Sequence, residues 1–271
     1  MAAAAHRAAH QVLEQGRIFA DGLALRILGQ DAEAVATEAT AHPSRRGMRY
    51  FIAARSHFAE SMLGSGVQHR EVRQVVVLGA GLDTFAYRNT YGSRIQVFEA
   101  DHPATQAWKR RRLEEAGITL PANLTFVPVD FEQDALLASL SSAGFSPGVR
   151  SFFLWLGVVP YLTNAAVRDT LRVIGRLPGG AEVVFDYADP PSTFSSALKS
   201  AHAARAERVA TLGEPWLTYF EPTELAELLR LSGFGTVEDL GPAALATRYW
   251  PAATKPAGDR GGHVLFAGTS P

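Results

Sequence analysis

Five short runs of β-branched and aromatic residues, each bounded by turn residues, constrain the fold of this chain more than any other feature. They are residues 74–78, 95–99, 124–129, 151–156 and 181–187. Because the runs are continuous and do not alternate with polar residues, they predict strands buried on both faces, as in a parallel sheet covered by helices. Helical stretches such as 103–116 and 165–177 separate them. This alternation of strand and helix predicts a doubly wound α/β fold with a mostly parallel sheet.

Both ends of the chain depart from this alternation. Residues 1–65 predict helices without a strand, which we interpret as a helical addition to the sheet. After a predicted helix over 222–232, the strand-like segments 236–240 and 263–267 are joined by a connection rich in proline and glycine, in which we predict no helix. Two such strands most simply pair antiparallel at one end of the sheet. With no internal repeat or second core, residues 1–271 are predicted to form a single domain.

Composition excludes several classes of function. The net charge of −1 over 271 residues gives no sign of the basic surface of a nucleic-acid-binding or membrane-surface protein. No apolar run reaches the roughly 20 residues that cross a bilayer. Cysteine is absent, which excludes disulfides, thiolate metal sites and a cysteine nucleophile and suits a reducing cytoplasm. We predict a cytoplasmic protein with no metal, nucleic acid or membrane partner, and the sequence leaves a homo-oligomer open.

The first predicted strand runs into a glycine turn with the sequence Leu78-Gly79-Ala80-Gly81-Leu82-Asp83-Thr84. Glycine in such a turn lets the backbone approach a ligand closely, although a purely structural turn would look the same. In an NAD-dependent dehydrogenase, the third small residue of the fingerprint would fall at Thr84, where threonine is poorly suited to close packing. The turn therefore disfavours a dehydrogenase.

The next two predicted strands end in acids. Glu99 and Asp101 close the second strand, and Asp130, followed by Phe131, closes the third. In doubly wound sheets the acid at the end of the second strand reaches the ribose hydroxyls of a nucleotide. The acid after the third strand can accept a hydrogen bond from an adenine amine beside an aromatic ring. Glycine, acid and acid in this order predict an adenosine-containing cofactor, unless Glu99 and Asp101 merely cap the following helix.

At these segments the chain resembles the leucine carboxyl methyltransferase family, including its bacterial methyltransferases and polyketide O-methyltransferases. The resemblance covers nearly the whole chain, and the segments that carry it are Arg55-Ser56-His57-Phe58, residues 73–84 with Ala86-Tyr87-Arg88, residues 98–103 and residues 155–163. It implies a Rossmann-like class I methyltransferase sheet. It also implies S-adenosyl-L-methionine as the cofactor and S-adenosyl-L-homocysteine as the product.

The resemblance further implies roles for single residues. Arg55 would bind the methionine carboxylate of the cofactor through a bidentate contact, whereas the residues alone would favour a surface salt bridge there. Gly79, with Ala80 and Gly81, would lie against the methionine portion. Asp101, helped by Glu99, would bind the ribose. Asp130 and the backbone of Phe131 would hold the adenine.

One position departs from the family pattern. Family members commonly carry an acid after the fourth strand, where it can hold the amino group of the methionine portion, and this chain has Leu156. The departure leaves three alternatives open: contacts from backbone carbonyls alone, an altered cofactor pose, or weaker binding.

Methyl transfer from a sulfonium is an in-line displacement with a neutral leaving group, so positioning can supply most of the acceleration. A carboxylate acceptor needs no base, whereas a phenol, with a pKa of about 10, would benefit from one. We predict Tyr161 and Tyr187 as catalytic or orienting groups because they follow the fourth and fifth strands, although tyrosines at strand ends are more often packed rings. Segments 190–220 and 241–261 are predicted to form a lid over the acceptor.

The resulting prediction is an O-methyltransferase that uses S-adenosyl-L-methionine to methylate a hydroxyl or carboxylate of a small molecule of secondary metabolism. Two alternatives stay open. One is a protein C-terminal carboxyl methyltransferase, and the other is a protein that binds the cofactor without transferring its methyl group.

Overall fold

The computed structural model describes residues 2–211, 213, 215–250, 258 and 260–270. Within these residues, seven strands form one sheet. They are β1 (Gln74–Leu78), β2 (Gln96–Asp101), β3 (Leu124–Pro128), β4 (Ser151–Trp155), β5 (Ala181–Ala188), β6 (Phe234–Leu240) and β7 (Gly262–Thr269). Their order across the sheet is β3-β2-β1-β4-β5-β7-β6. The first five are mutually parallel, and β7 runs antiparallel to both β5 and β6.

Eleven α-helices lie within the described residues. They are α1 (Ala2–Leu13), α2 (Ala24–Leu28), α3 (Ala32–Ala41), α4 (Arg46–His69), α5 (Phe85–Arg88), α6 (Pro103–Glu115), α7 (Leu136–Ser142), α8 (Asn164–Gly175), α9 (Ser196–Thr211), α10 (Pro222–Ser232) and α11 (Pro242–Tyr249). None of the described helices is both long and apolar enough to cross a membrane.

The continuous apolar strands are explained by burial on both sheet faces. Along β1, Val76 and Leu78 pack into one apolar cluster, while Val75 and Val77 pack into another. Because successive side chains of a strand point to opposite faces, each face of β1 needs its own helical cover. Helices α8 and α10 contribute apolar residues to the first cluster, and α4 contributes to the second.

The predicted fold class is confirmed, including the mostly parallel sheet and the C-terminal antiparallel pair. The prediction that no helix joins the last two strands was wrong, because α11 lies between β6 and β7. Pro242 occupies the first turn of this helix, where its missing N–H is not needed, and the next residues are strong helix formers. The nearly complete burial of Leu245 then anchors the helix to the core.

The strand order places a crevice beside β1. Chain connections from β1 lead to β2 on one side, whereas β4 lies on the other, so the direction of winding reverses there. Ligands of open α/β sheets bind outside the carboxyl ends of the strands at such a reversal. The N-terminal helices complete this region, with α1 packed against α2, α3 and α4.

Candidate functional site

A cavity of about 800 Å³ opens at the carboxyl ends of β1, β2, β3 and β4. This volume lies near the upper end of the roughly 300–1,000 Å³ typical of small-molecule sites. Its walls come from all four strand ends, from α1, α4 and α6, and from the segment after α9. Of the residues predicted to bind the cofactor, those that line it are Arg55, Gly79, Ala80, Gly81, Asp101, Asp130, Phe131 and Leu156.

The glycine turn after β1 needs glycine for two physical reasons. Gly79 and Gly81 have φ angles of +63° and +42°, in the left-handed region that residues with a side chain rarely adopt. A Cβ at Gly79 would also lie 2.4 Å from Cγ2 of Val158. The turn is therefore packed directly against the segment that follows β4, and both segments line the cavity.

Asp101, the last residue of β2, connects this turn to the second strand. Its Oδ2 accepts a hydrogen bond from the backbone N–H of Gly81 at 2.6 Å, and its Oδ1 accepts one from the N–H of His102 at 2.7 Å. Burial raises the pKa of this carboxyl, against the opposing effect of the two amide donors. Each carboxylate oxygen has a further lone pair, so Asp101 can still accept from a ligand hydroxyl.

Glu99 does not lie with Asp101 in the cavity wall. It is inside β2 and 1% exposed, and its Oε2 lies 2.7 Å from Nζ of Lys109 and accepts a hydrogen bond from the hydroxyl of Tyr87 at 3.0 Å. Burial raises the pKa of Glu99, although the neighbouring ammonium opposes the shift. Its position thus ties α6 to β2 and gives no support to the predicted contact with the ribose.

Arg55 extends from α4 into the cavity wall and is 6% exposed. Its Nη1 donates to Oδ2 of Asp186 at 2.7 Å, so the interpretation of Arg55 as a surface salt bridge is wrong: the pair is buried. Among the described residues, Nε of Arg55 is buried without a hydrogen-bond partner. Nε itself is shielded from the cavity, but the guanidinium as a whole belongs to the cavity wall and carries the positive charge that an anionic ligand group would need.

Arg49 and Arg70 each bind a carboxylate through the edge of the guanidinium that carries Nε and Nη2. Arg49 clamps Glu14 through Nε at 2.8 Å and Nη2 at 2.7 Å, and Arg70 clamps Glu182 through the same two nitrogens at 2.6 and 2.8 Å. In Arg55 the contact with Asp186 uses Nη1 instead. The Nε–Nη2 edge of Arg55, which corresponds to the edge used by Arg49 and Arg70, thus has no protein carboxylate in the described structure.

The segment after β4 lies next to this arginine. The backbone N–H of Gly157 donates to Oδ1 of Asp186 at 2.5 Å, and a Cβ at Gly157 would lie 2.8 Å from Nη2 of Arg55. Leu156 is half-buried, lines the cavity and packs against the apolar cluster that contains α4. Its side chain presents no polar atom to the cavity, so any polar contact at position 156 must come from its backbone.

Asp130 and Phe131 line the cavity beyond the end of β3. Asp130 accepts hydrogen bonds from the N–H of Glu132 and from Nε2 of Gln133, both at 2.9 Å. These bonds shape the turn that carries Phe131, whose half-buried ring packs against the core. The polar group and the ring are thereby brought to the same end of the cavity.

The structure separates the two tyrosines that were predicted to act in catalysis. Tyr161 follows β4 in a short 3₁₀ turn, is half-buried and lines the cavity. Tyr187 lies within β5, is 2% exposed and is not part of the cavity wall. Its hydroxyl donates to Asp239, and its ring stacks on His263 with centroids 4.6 Å apart. Burial, followed by the neighbouring Asp239, raises the pKa of Tyr187, which makes it poorly suited to act as a base.

No sequence motif indicates the part of the cavity wall that α1 supplies. Residues 2–4 and Arg7 line it, and Arg7 donates through Nε to Asp21 at 3.0 Å and through Nη2 to the carbonyl oxygen of Leu82 at 2.5 Å. Only the tertiary fold brings residue 7 to the glycine turn. The alanine run at the start allows close packing but does not by itself indicate a site.

The predicted lid is described only in part. Gly213 and Pro215 line the cavity, and the N–H of Leu217 bonds to the carbonyl of Pro160 at 2.7 Å, which docks this segment beside Tyr161. Residues 212 and 214 of the first lid segment and residues 251–257 and 259 of the second lie outside the described residues. The lid function of both segments stays a prediction.

The chain is similar in sequence to two bacterial proteins whose names describe methyltransferases. A Bacillus subtilis (strain 168) protein named "Putative S-adenosyl-L-methionine-dependent methyltransferase YktD" is 36% identical over 197 residues, which are 70% of this chain and 62% of that protein. A Mycolicibacterium smegmatis protein with the same descriptive name is 31% identical over 163 residues, 59% of this chain and 51% of that protein. The chain thus matches less than two thirds of the length of either relative.

Solved structures share the fold at low sequence identity. A DUF574 family protein from Streptomyces avermitilis has a TM-score of 0.57 at 15% identity, covering 97% of this chain and 100% of that one. The magnesium protoporphyrin IX methyltransferase of Synechocystis PCC 6803, solved with bound S-adenosylhomocysteine, has a TM-score of 0.51 at 10% identity and covers 96% of both chains. Since the sequence model of the leucine carboxyl methyltransferase family matches residues 1–175, well over half of this chain, the protein belongs to that family.

Proposed function

We propose that this protein binds S-adenosyl-L-methionine in the cavity and transfers its methyl group to a small-molecule acceptor. The observation that carries the proposal is that one cavity brings together a glycine turn, Asp101, Asp130 and the guanidinium of Arg55. The names of the sequence relatives support the same cofactor. So does the S-adenosylhomocysteine bound by the Synechocystis protein of similar fold.

The residues present suit the chemical parts of this cofactor. Asp101 would accept from the ribose hydroxyls, and Asp130 with Phe131 would hold the adenine. The glycine turn leaves room for the chain that joins ribose to methionine, because neither glycine adds a Cβ. Arg55 would bind the methionine carboxylate through the part of its guanidinium that faces the cavity.

The bound cofactor supplies an electrophilic methyl group on a sulfonium. The work of the chain is then to hold donor and acceptor in line, where positioning alone provides effective concentrations of about 10⁵–10⁸ M. Tyr161 is the described tyrosine of the cavity wall that can orient an acceptor oxygen or take part in its deprotonation. The segment that carries Pro215, docked on Pro160, would limit the access of water.

For the acceptor, we propose a hydroxyl or carboxylate of a small molecule of secondary metabolism, which makes the protein an O-methyltransferase. Three features support a small acceptor: the cavity volume of about 800 Å³, the partly apolar wall around Leu156 and Leu162, and the half-buried Tyr161. A protein C-terminal carboxylate is the competing acceptor.

Calorimetric titration with S-adenosylmethionine and S-adenosylhomocysteine tests the cofactor assignment. We expect wild-type protein to bind both at micromolar concentrations, and Asp101→Ala and Arg55→Ala each to weaken binding by about 10-fold or more. Glu227→Ala, which removes an exposed acid paired with Arg230 on α10, is a control that should bind normally. Failure of the wild type to bind either ligand would refute the proposal.

Formation of S-adenosylhomocysteine with small phenols, small acids and leucine-terminated peptides then tests the acceptor. Turnover with the phenols or acids supports the small-molecule assignment. Turnover with the peptides alone would replace it by protein carboxyl methylation. Binding of the cofactor without turnover on any member of the panel would favour a protein that no longer transfers methyl groups.

A further inference from the structure

Asp186, on β5, joins three parts of the fold beneath the cavity. Its Oδ2 accepts from Nη1 of Arg55 on α4 at 2.7 Å, and its Oδ1 accepts from the backbone N–H of Gly157 at 2.5 Å. The residue is 5% exposed and is not itself part of the cavity wall. A carboxylate buried behind a cavity-lining arginine acts through that arginine and not by touching a ligand.

The geometry of this contact determines which part of Arg55 is left without a protein carboxylate. Because Asp186 binds Nη1, the Nε–Nη2 edge is left without a protein carboxylate in the described structure, and Nε is a buried donor without a partner. A guanidinium has a planar, rigid arrangement of donors, so fixing one nitrogen also fixes the direction of the opposite edge. The hydrogen bond to Gly157 fixes the carboxylate in turn.

Charge balance gives Asp186 a second effect. Arg55 and Asp186 together are neutral, and among the described residues no other carboxylate contacts Arg55. The amino-acid end of S-adenosylmethionine carries one carboxylate and one ammonium and is also neutral. Leu156 adds no charge of its own beside Gly157. The neutral pair of Arg55 and Asp186 therefore suits the zwitterionic amino-acid end better than a ligand group that carries only a negative charge. Binding the zwitterion buries no excess charge, whereas binding a lone anion would.

We infer that Asp186 is a positioning residue that orients Arg55 and balances its charge, so that the cavity favours ligands with an intact α-amino-acid end. This inference rests on the proposed function. It assigns to β5 a part in cofactor selection that the family motifs at β1 to β4 do not contain.

Asp186→Asn is a sharp test because the substitution keeps the size and removes the charge. An asparagine has one acceptor and one donor end. If its oxygen faces Gly157, its amide N–H₂ faces Nη1 of Arg55; if it is reversed, its amide faces the N–H of Gly157. Either orientation places two donors together, so one of the two contacts is lost.

The control is Glu182→Gln. Glu182 is a fully buried acid at the other end of β5, where Arg70 clamps it through two nitrogens. It thus matches Asp186 in strand, burial and arginine pairing. None of its contacts reaches the cavity wall.

The measurement is calorimetric binding of two probes, S-adenosylhomocysteine and 5′-methylthioadenosine, which shares the adenosine and sulfur but lacks the amino-acid end. Asp186→Asn should weaken the binding of S-adenosylhomocysteine by about 10- to 100-fold, as expected for a lost charged contact. The same substitution should leave 5′-methylthioadenosine within about twofold of wild type. Glu182→Gln should leave both probes within about twofold, whatever it does to thermal stability.

A double substitution makes the test independent of folding effects. In the background of Arg55→Met, Asp186→Asn should cause little further loss of S-adenosylhomocysteine affinity, because its effect acts through Arg55. Unchanged S-adenosylhomocysteine binding in Asp186→Asn, or an equal loss for both probes, would overturn the inference and leave the proposed function intact. Failure of wild-type protein to bind either probe would instead overturn the proposed function, and this inference with it.

Discussion

Gly79→Ala tests whether the glycine turn is required by the packing of the fold as well as by its backbone. The residue has φ +63°, and an added Cβ would lie 2.4 Å from Cγ2 and 3.2 Å from Cγ1 of Val158. Contacts below 3.0 Å are not tolerated by real Cβ atoms, so either Val158 or the turn must move. Both segments line the cavity, which couples this packing to the shape of the site.

Two costs add at this position. Holding a residue with a Cβ in the left-handed region costs about 1–2 kcal/mol. Forcing a methyl group into a packed contact costs about 1–3 kcal/mol more. We therefore expect Gly79→Ala to lower the free energy of unfolding by about 2–5 kcal/mol, a large fraction of the roughly 5–15 kcal/mol that a protein of this kind has in total.

Gly81→Ala separates the two costs. Gly81 also has a positive φ of +42°, but the nearest atom to its added Cβ would be the carbonyl oxygen of Gly79 at 3.9 Å. Only the backbone cost of about 1–2 kcal/mol should remain. Val158→Ala removes both methyl groups that the new Cβ would meet, at a cost of about 1 kcal/mol for a half-buried valine.

The assay is urea unfolding of the four variants: Gly79→Ala, Gly81→Ala, Val158→Ala and the double variant Gly79→Ala/Val158→Ala. The double variant should be less destabilised than the sum of its two single changes by about 1–3 kcal/mol, because the truncated valine relieves the overlap. Additive effects, or equal losses in Gly79→Ala and Gly81→Ala, would refute the argument from packing and leave only the backbone conformation.

Three further predictions concern buried polar groups outside the cavity wall. Burial lowers the pKa of His263, but hydrogen bonds to Asp239 and Asp189 outweigh it and raise the pKa overall. Protonated His263 therefore contributes its full stabilisation of the folded protein below the ordinary histidine pKa of about 6.5. This contribution is lost as pH rises through the higher folded-state pKa. Urea unfolding of wild type and His263→Asn between about pH 5 and 9 should show a stability difference that shrinks with rising pH, and a constant difference would contradict this. Lys109→Met should lower the free energy of unfolding by about 3–5 kcal/mol because it leaves Glu99 buried without its cation. Adding Glu99→Gln should recover most of that loss in the same urea assay, and an equal loss in the single and double variants would show that the ion pair is not the cause. Tyr187→Phe should cost about 1–2 kcal/mol of stability with unchanged binding of S-adenosylhomocysteine by calorimetry, because its hydroxyl contacts Asp239 and not the cavity; weakened binding would return Tyr187 to the site.

Much of the sheet follows from sequence pattern alone. The run at 74–78 coincides with β1, and the other four runs each locate a parallel strand to within two residues at either end. The pattern is reliable here because central strands of a doubly wound sheet must be apolar on both faces. The prediction of no helix between β6 and β7 is wrong because proline and glycine do not exclude a helix, and Gly241 and Pro242 mark the start of one.

Within the site, the sequence pattern indicates the position of the residues that follow directly from strand ends. The chain order of glycine turn, Asp101 and Asp130 places them at neighbouring strand ends, because adjacent parallel strands end at the same edge of the sheet. The sequence pattern does not distinguish the position of Glu99 from that of Asp101, two residues away on the same strand. Their pattern alone does not show that Glu99 is buried with Lys109 at 2.7 Å and is not part of the cavity wall.

The sequence by itself determined the strand run, the glycine turn and the acids, since these depend on local backbone conformation and on the alternation of buried faces. The family membership also followed from those segments. Only the tertiary structure decided the partners of buried charges: Asp186 meets Arg55 across 131 residues, and Arg7 reaches Leu82 across 75. Such contacts join elements that are far apart in the chain, and a buried charge must find whatever partner the packing brings near. Hence the sequence indicated which strand ends carry the residues of the cavity wall, while the fold determined which buried residues contact them.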